Sequence, residues 1–268
     1  MYKRQQTPRS AFYVFLNGIK EDFSSKRVSE RFETPAGRQG QFDWSPYTVP
    51  IGGQLTKVVV FAFTLCYSRR KHHFASLDES QGSCFEAMED SFWHFGGVPE
   101  EVLVDNSRNF VLDAAPLHFQ WNPKFLEFCG YYRFKPVACK LGRAKTKGKV
   151  ERPFFYLEQH FIKGRSFRDF DHFCDELSRF EREQLDMCIH STTQRRPIDL
   201  FEDERDLLTP LPPGRFVSTR ELFRKVSWDC LISFNGTRYS VPWPYAVSYT
   251  HLRAHETRHD LVCRLLLE

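Results

Sequence analysis

The segment from Lys57 to Tyr67 places the strongest constraint on the fold, because it is apolar almost throughout. Valine and phenylalanine dominate it, and Thr64 is the one clearly polar residue after Lys57. A run this long of β-branched and aromatic residues is typical of a central strand that is covered on both faces. The chain therefore needs a sheet with other elements packed against each side.

Hydrophobic periodicity on either side of this run predicts the neighbouring elements. Two further strands are predicted at Gln41–Trp44 and His73–Leu77, and helical spacing predicts a helix over Ser83–Phe95. The later predicted elements are a strand at Glu101–Asp105, a helix at Pro123–Cys129, a strand at Tyr131–Cys139 and a helix at Val150–Ile162. The resulting order is three strands, helix, strand, helix, strand, helix. It predicts an α/β fold, a ribonuclease-H-like mixed sheet flanked by helices.

Changes in composition divide the chain into five predicted segments. Residues 1–35 are mostly polar and show no sustained periodicity, which is typical of a linker or a remnant. Residues 36–165 are predicted to form the ribonuclease-H-like core. A charged, amphipathic stretch predicts a helical connector over 166–225. The hairpin signal Asn235-Gly236 predicts a truncated, small all-β module, the start of a β-barrel, over 226–246.

The β pattern breaks off at the last segment, 247–268, which we expect to be an artefactual tail. It resembles a peptide that arises when sequencing-adapter DNA is translated, and residues 1–5 resemble its counterpart. His255 to His259 satisfies H-E-x-x-H, but a zinc protease needs a substrate cleft and a third ligand downstream. Only residues 260–268 follow, so a protease is not expected.

Cysteine spacing and charge narrow the class of protein. The eight cysteines are scattered singly without a C-x-x-C pair, which argues against a zinc finger or a disulfide framework. No apolar run approaches the ~18 residues that a membrane span requires. The net charge of +4 is too small to indicate nucleic-acid binding by itself. We expect a reduced, soluble, cytoplasmic protein.

Three acidic residues stand where strand and helix ends can bring them together. Asp43 lies on the first predicted strand, Asp105 ends the fourth, and Glu151 opens the last helix of the core. In a ribonuclease-H-like sheet the first and fourth strands are neighbours. Carboxylates that converge there could hold two Mg²⁺ ions for phosphodiester chemistry. Spacing alone favours the ordinary explanation that these acids are surface charges or turn residues.

Four motifs resemble one family of enzymes over roughly residues 28–246. Arg31–Trp44, Val104–Asn106 and Lys147–Arg152 resemble the three acidic motifs of IstA-like insertion-sequence transposases, and Tyr239–Pro242 resembles their small β-barrel. These are bacterial DDE transposases encoded beside an AAA+ ATPase helper. The resemblance implies that Asp43, Asp105 and Glu151 are the catalytic residues and the ligands of two Mg²⁺ (or Mn²⁺) ions.

The resemblance also implies a reaction and partners. A DNA transposase of this kind catalyses 3′-end cleavage and strand transfer of an insertion sequence. Its partners are the element ends, the target DNA and the AAA+ helper, and it works as a homo-oligomer on DNA in the bacterial cytoplasm, associated with the nucleoid and with no membrane. Two alternatives stay open: a ribonuclease-H-like nuclease, and a non-catalytic DNA-binding remnant of a transposase.

A basic segment surrounds the third acidic motif. Its members are Arg133, Lys135, Lys140, Arg143, Lys145, Lys147, Lys149 and Arg152, with almost no acidic residue among them. Such a segment would contact phosphates without base selectivity. Lys145, Lys147, Lys149 and Arg152 are the predicted DNA-binding residues. A solvated loop is the alternative, and proximity to a catalytic carboxylate favours DNA contact.

Overall fold

The computed structural model describes residues 33–115, 118–139, 151–216, 219–234, 237–240, 243 and 249–255. The strands are β1 (Gln39–Ile51), β2 (Gln54–Leu65), β3 (Lys71–Ser76), β4 (Glu101–Val104), β5 (Val111–Asp113), β6 (Gln120–Trp121), β7 (Lys135–Ala138), β8 (Thr219–Lys225), β9 (Leu231–Phe234), β10 (Thr237–Ser240) and β11 (Tyr249–His255). The helices are α1 (Gln81–Phe95), α2 (Pro123–Tyr132), α3 (Glu151–Leu157), α4 (Phe170–Phe180) and α5 (Pro197–Arg205), with π-helical turns at Glu158–Ile162 and Glu181–Leu185.

The main sheet has five strands in the order β3-β2-β1-β4-β7. β1, β2 and β3 pair antiparallel, whereas β1, β4 and β7 pair parallel. This is the ribonuclease-H-like arrangement that the order of the predicted elements indicated, so the predicted fold class is confirmed. Among the described residues, the hairpin of β5 and β6 is an addition that periodicity did not predict.

The predicted apolar strand lies inside the sheet as β2, and its residues from Val58 to Leu65 are buried. Alternation sends its side chains to two cores. Phe61 and Phe63 belong to an aromatic core with α1 and α2, and Val58 and Val60 belong to a second core with α3 and α4. Both faces of the sheet are therefore covered, as the sequence predicted.

β1 extends well beyond its predicted end, because the prediction stopped before two prolines. β1 pairs with β2 as far as Ile51, through Pro46 and Pro50, whereas its pairing with β4 ends at Gln41. Proline lacks an N–H and is tolerated where a strand has a partner on one side only. In the described part of the chain, β1 meets that condition at Pro46. At Pro50 the segment around Phe167 lies on the other side, and the carbonyl oxygen of Pro50 accepts from the backbone N–H of Phe167 at 2.9 Å.

The predicted strand Tyr131–Cys139 was wrong at its start, where α2 continues to Tyr132. Tyr132 is buried and packs against Phe128 one helical turn earlier, and also against Phe92 of α1. Burial of this aromatic side chain outweighs the weak helix propensity of Gly130. The helix ends at Arg133, whose φ is 58°, and β7 begins at Lys135.

The region after the core contains both helices and strands. α4 and α5 lie in the predicted helical connector, but β8 lies there too and pairs with β11, so β structure begins before residue 226. β9 and β10 pair on either side of the predicted hairpin signal, which itself lies outside the described residues. The domain boundaries remain a prediction. Within the described ranges, no helix is long and apolar enough to cross a membrane.

The buried carboxylate of Glu181 joins the helical connector to the β3 edge of the sheet through hydrogen bonds. Glu181 is 2% exposed and accepts hydrogen bonds from the backbone N–H of His73 at 2.8 Å and from His72 Nδ1 at 3.0 Å. The other ring nitrogen of His72 lies 3.1 Å from Asp90 Oδ2 on α1. Burial alone would lower the pKa of His72, but its hydrogen bonds to Asp90 and Glu181 outweigh burial and raise the pKa to about 9.

The free energy of unfolding of the metal-free protein is expected to fall as pH rises from about 6.5 to about 8. A histidine with a raised folded-state pKa stabilises the fold fully below its unfolded pKa of 6.5, and this stabilisation is lost as pH rises toward its folded pKa of about 9. Burial lowers the pKa of Lys71 to about 8, and its deprotonation acts in the opposite direction above that pH.

Urea denaturation in the presence of a chelator, repeated across this pH range, measures the effect. His72→Gln should remove the downward slope. An equal slope in the variant would show that another group causes it. His94 acts in the opposite direction at the lower end of this range, because burial and the charge on His72 lower its folded-state pKa to about 4, so near pH 6.5 only its unfolded form still binds a proton.

Candidate active site

Two of the three predicted acids occupy adjacent positions on neighbouring strands. β1 and β4 are parallel, with Gln41 opposite Leu103. The pairing ends there; continued for two more residues, the same register would set Asp43 opposite Asp105, which directly follows β4. Residues opposite each other in a parallel pair point to the same face. The register of the paired residues therefore favours a position for Asp43 and Asp105 on one face of the sheet.

This face is the one opposite the aromatic core. The residues that precede the two acids, Phe42 and Val104, are both buried in the aromatic core. Because successive side chains of a strand alternate, Asp43 and Asp105 project to the other side. Both acids are half-buried, so substrate and ions can reach them.

Short hydrogen bonds hold the backbone around Asp105. Its Oδ1 accepts from the backbone N–H of Ser107 at 3.1 Å, which closes a tight turn directly after the strand. Asn106 Nδ2 donates to the carbonyl oxygen of Cys139 at 2.9 Å, which ties this turn to the end of β7. The loop that carries Asp105 is thus hydrogen-bonded to the end of β7, which belongs to the part of the chain that holds the predicted basic segment.

Helix α3 lies across the same face of the sheet. Tyr47, four residues after Asp43 on β1, donates from its hydroxyl to the carbonyl oxygen of Phe154 at 3.2 Å. Leu157 and the adjoining π-helical turn pack on Val49 in the second core. Glu151 is the first residue of α3, so the third predicted acid opens a helix that covers the face on which Asp43 lies.

The structure does not describe every predicted site residue. Lys145, Lys147 and Lys149 lie outside the described residues, and for Glu151 and Arg152 only the helical backbone is described. The roles of all these residues, and those of Asp43 and Asp105 as metal ligands, remain predictions.

Sequence reasoning assigned no role to two residues that hold this site in place. Asn106 was part of a recognised motif without a function of its own. Tyr47 lies four residues after Asp43 on β1, so both side chains point to the same face of the sheet. That spacing is the signal in the sequence that could have indicated a role for Tyr47. The contact with Phe154 itself joins residues 107 positions apart and had no signal in the sequence.

Known relatives of this chain are bacterial transposases. The chain is 36% identical over 235 residues to the transposase for insertion sequence element IS21 of Pseudomonas aeruginosa, an alignment that covers 87% of this chain and 60% of the relative. It is 34% identical to a putative transposase for IS5376 of Geobacillus stearothermophilus, over 83% of this chain and 56% of the relative.

The chain is similar to IS21-like insertion-sequence transposases over most of its own length. This similarity confirms the resemblance that the four motifs indicated. A third relative, the transposase for IS232 of Bacillus thuringiensis subsp. berliner, is 30% identical over 92% of this chain and 58% of its own length. The chain therefore spans 56–60% of the length of these curated relatives.

A family model described as the C-terminal domain of Mu transposase matches residues 211–264. That range contains strands β8 to β11. Among solved structures, a simian T-cell lymphotropic virus intasome has a TM-score of 0.49 at 13% identity, covering 84% of this chain and 70% of that chain. The HTLV-2 integrase catalytic core domain in complex with magnesium has a TM-score of 0.44 at 13% identity, covering 63% and 99%.

Proposed function

We propose that the chain carries the catalytic core of a DNA transposase, which performs metal-dependent 3′-end cleavage and strand transfer of an insertion sequence. Asp43, Asp105 and Glu151 are its catalytic residues. The observation that supports this proposal is the register of β1 and β4: continued two residues past its last pair, it would set Asp43 beside Asp105, on the face that α3 covers. Similarity to insertion-sequence transposases supports the reaction.

The residues on this face fit a magnesium site. Carboxylate oxygens are hard ligands of the kind that Mg²⁺ prefers, and the ion keeps several water molecules, so few protein ligands are needed. Asp43 and Asp105 are half-buried, which leaves space for water and for phosphate oxygens. When bound, two Mg²⁺ (or Mn²⁺) ions would neutralise charge on the phosphate and activate the attacking oxygen.

The protein's own side chains fix the geometry of the site. The Ser107 N–H orients one oxygen of Asp105, and Tyr47 holds α3 over the sheet. The predicted DNA-binding residues Lys145, Lys147, Lys149 and Arg152 neutralise the DNA backbone beside the acids. Positioning of this kind is the main contribution of a protein to phosphoryl transfer.

The proposed partners follow from the same reaction. Strand transfer joins an element end to target DNA, so both are substrates. Two element ends must be paired, which favours a homo-oligomer assembled on DNA. An AAA+ ATPase helper is proposed from the family resemblance, and the site of action is the bacterial cytoplasm at the nucleoid.

A strand-transfer assay tests the proposal directly. The chain is incubated with Mg²⁺, a labelled element end and a supercoiled target plasmid. Joined products support a transposase. Cut ends that are never joined indicate a nuclease, and DNA binding without any Mg²⁺-dependent cleavage indicates a non-catalytic remnant.

Replacing Lys145, Lys147 and Lys149 together by alanine should lower the affinity for DNA and make that affinity less dependent on salt concentration. Each phosphate contact to duplex DNA contributes about 0.9 to the slope of log K against log salt, so loss of three contacts should reduce the slope by about 2.7. Fluorescence anisotropy at several salt concentrations measures it. Lys124→Ala, at an exposed lysine outside the basic segment, is the control and should leave the slope unchanged. An unchanged slope in the triple variant would indicate a solvated loop.

A further inference from the structure

Three potential metal ligands from separate elements meet at the β3 edge of the sheet. His72 belongs to β3, His94 to the last turn of α1, and Glu181 to the π-helical turn after α4. One ligand atom from each residue lies within 4.8 Å of the other two. The cluster is two strands away from β1 and uses none of the residues assigned to DNA cleavage.

The separations of these atoms suit a small dication. Glu181 Oε1 lies 3.0 Å from His72 Nδ1 and 3.5 Å from His94 Nε2. With bonds of about 2.0–2.1 Å, ligand atoms around a tetrahedral zinc ion lie about 3.4 Å apart. The two separations from Glu181 are therefore close to those that such an ion requires.

One of the three ligands lacks a hydrogen bond. His94 Nε2 is buried and, although Glu181 Oε1 lies 3.5 Å away, it makes no hydrogen bond among the described residues. Leaving a buried polar atom unpaired costs free energy. Both ring nitrogens of His72 make hydrogen bonds, so the arrangement of His72 and Glu181 can be explained without a metal ion. The buried Nε2 of His94 is not explained in this way.

We propose that His72, His94 and Glu181 bind a transition-metal dication of the zinc class. Two imidazole nitrogens and one carboxylate oxygen form a ligand set that Zn²⁺ accepts, whereas Mg²⁺ prefers oxygen ligands throughout. Three protein ligands leave a fourth position for water. This proposal does not depend on the proposed function.

The surroundings of His72 match those of a metal ligand. When Nδ1 faces the ion, Nε2 carries the proton and donates a hydrogen bond to Asp90 Oδ2, 3.1 Å away. A ligating histidine commonly donates its other N–H to a carboxylate in this way. The rings of His72 and His94 are stacked 4.2 Å apart, so the His94 ring must turn to direct its lone pair at the ion. Its side chain is 24% exposed, which leaves it room to turn.

A bound ion would join three parts of the fold. It would link the sheet edge, the helix of the aromatic core and the helical connector through a single centre. Because the ligands come together only in the folded chain, the binding free energy would stabilise the fold.

The test is zinc binding by the full chain after treatment with a chelator. Cys188 is exposed and could bind zinc by itself, so the background carries Cys188→Ser. We expect isothermal titration with Zn²⁺ to give about one ion per chain, with a rise in the unfolding temperature that excess Mg²⁺ does not reproduce. Co²⁺ in place of Zn²⁺ should give a spectrum without thiolate bands.

His94→Ala is the deciding variant, because it removes the unpaired ligand and leaves the hydrogen bonds of His72 in place. It should weaken zinc binding by more than about a hundredfold, beyond the 10–100-fold typical of losing a supporting residue. His172→Ala is the matched control, since His172 Nε2 lies 3.8 Å from Glu176 on the surface of α4, and it should bind as the background does.

Three results would overturn the proposal: no zinc binding to the background protein, equal binding by His94→Ala, or a cobalt spectrum with thiolate bands. His94→Asn, which keeps a polar side chain, replaces the alanine variant if that variant fails to fold. None of these outcomes depends on transposition, so failure here is distinct from failure of the proposed function.

Discussion

Replacing Asp105 by asparagine is expected to lower Mg²⁺-dependent cleavage and strand transfer by at least about a thousandfold. Removal of a single preorganised group at a developing charge already costs on the order of 10²–10³ in rate, and loss of a metal ligand removes more. Asparagine keeps the shape of the side chain and the oxygen that accepts from the Ser107 N–H, so the fold should survive. Gel assays of cleavage and joining, with circular dichroism to verify folding, measure the effect.

Asp113→Asn provides a closely matched control. Asp113 Oδ1 accepts from the backbone N–H of Ala115 at 2.8 Å, so it makes the same kind of turn as Asp105 at the end of another strand. This variant should retain full activity. If Asp105→Asn cleaves DNA as well as the control does, the assignment of the site is wrong. DNA binding should persist in both variants, because phosphate contacts come from the basic segment.

Replacing Glu181 by alanine is expected to lower the free energy of unfolding of the metal-free protein by about 3–5 kcal/mol. Glu181 is 2% exposed and receives the backbone N–H of His73. Burial alone would raise the pKa of its carboxyl, but hydrogen bonds from His72 and His73 hold that pKa well below its usual range. Removing the carboxylate leaves a charged imidazole and a backbone N–H buried without their acceptor.

Urea denaturation at pH 7 with a chelator measures this loss. Glu176→Ala, which removes a glutamate that pairs with Arg179 near the surface of α4, is the control. A surface ion pair contributes about 0–1 kcal/mol, so that variant should stay close to the parent chain. A loss below about 1 kcal/mol for Glu181→Ala would mean that other contacts, such as the ion pair between Arg70 and Asp186, hold the connector to the sheet.

Local patterns in the sequence were sufficient where a segment's own side chains decide its structure. The apolar run predicted β2 as an interior strand, and the order of strands and helices predicted the arrangement of the sheet. Predictions failed where packing between distant segments decides the outcome. α2 continues past Gly130 because Tyr132 is buried against α1, and β1 continues through Pro46 because β2 pairs with it.

For the candidate site, the motifs by themselves indicated the resemblance to insertion-sequence transposases and the positions of Asp43, Asp105 and Glu151 in the order of elements. Only the tertiary structure indicated that Asp43 and Asp105 share a face, because that depends on the register between two strands. It alone brought Glu181 to His72, which is 109 residues away. Periodicity reports which face of an element is buried, whereas the partner that covers it depends on how the whole chain packs.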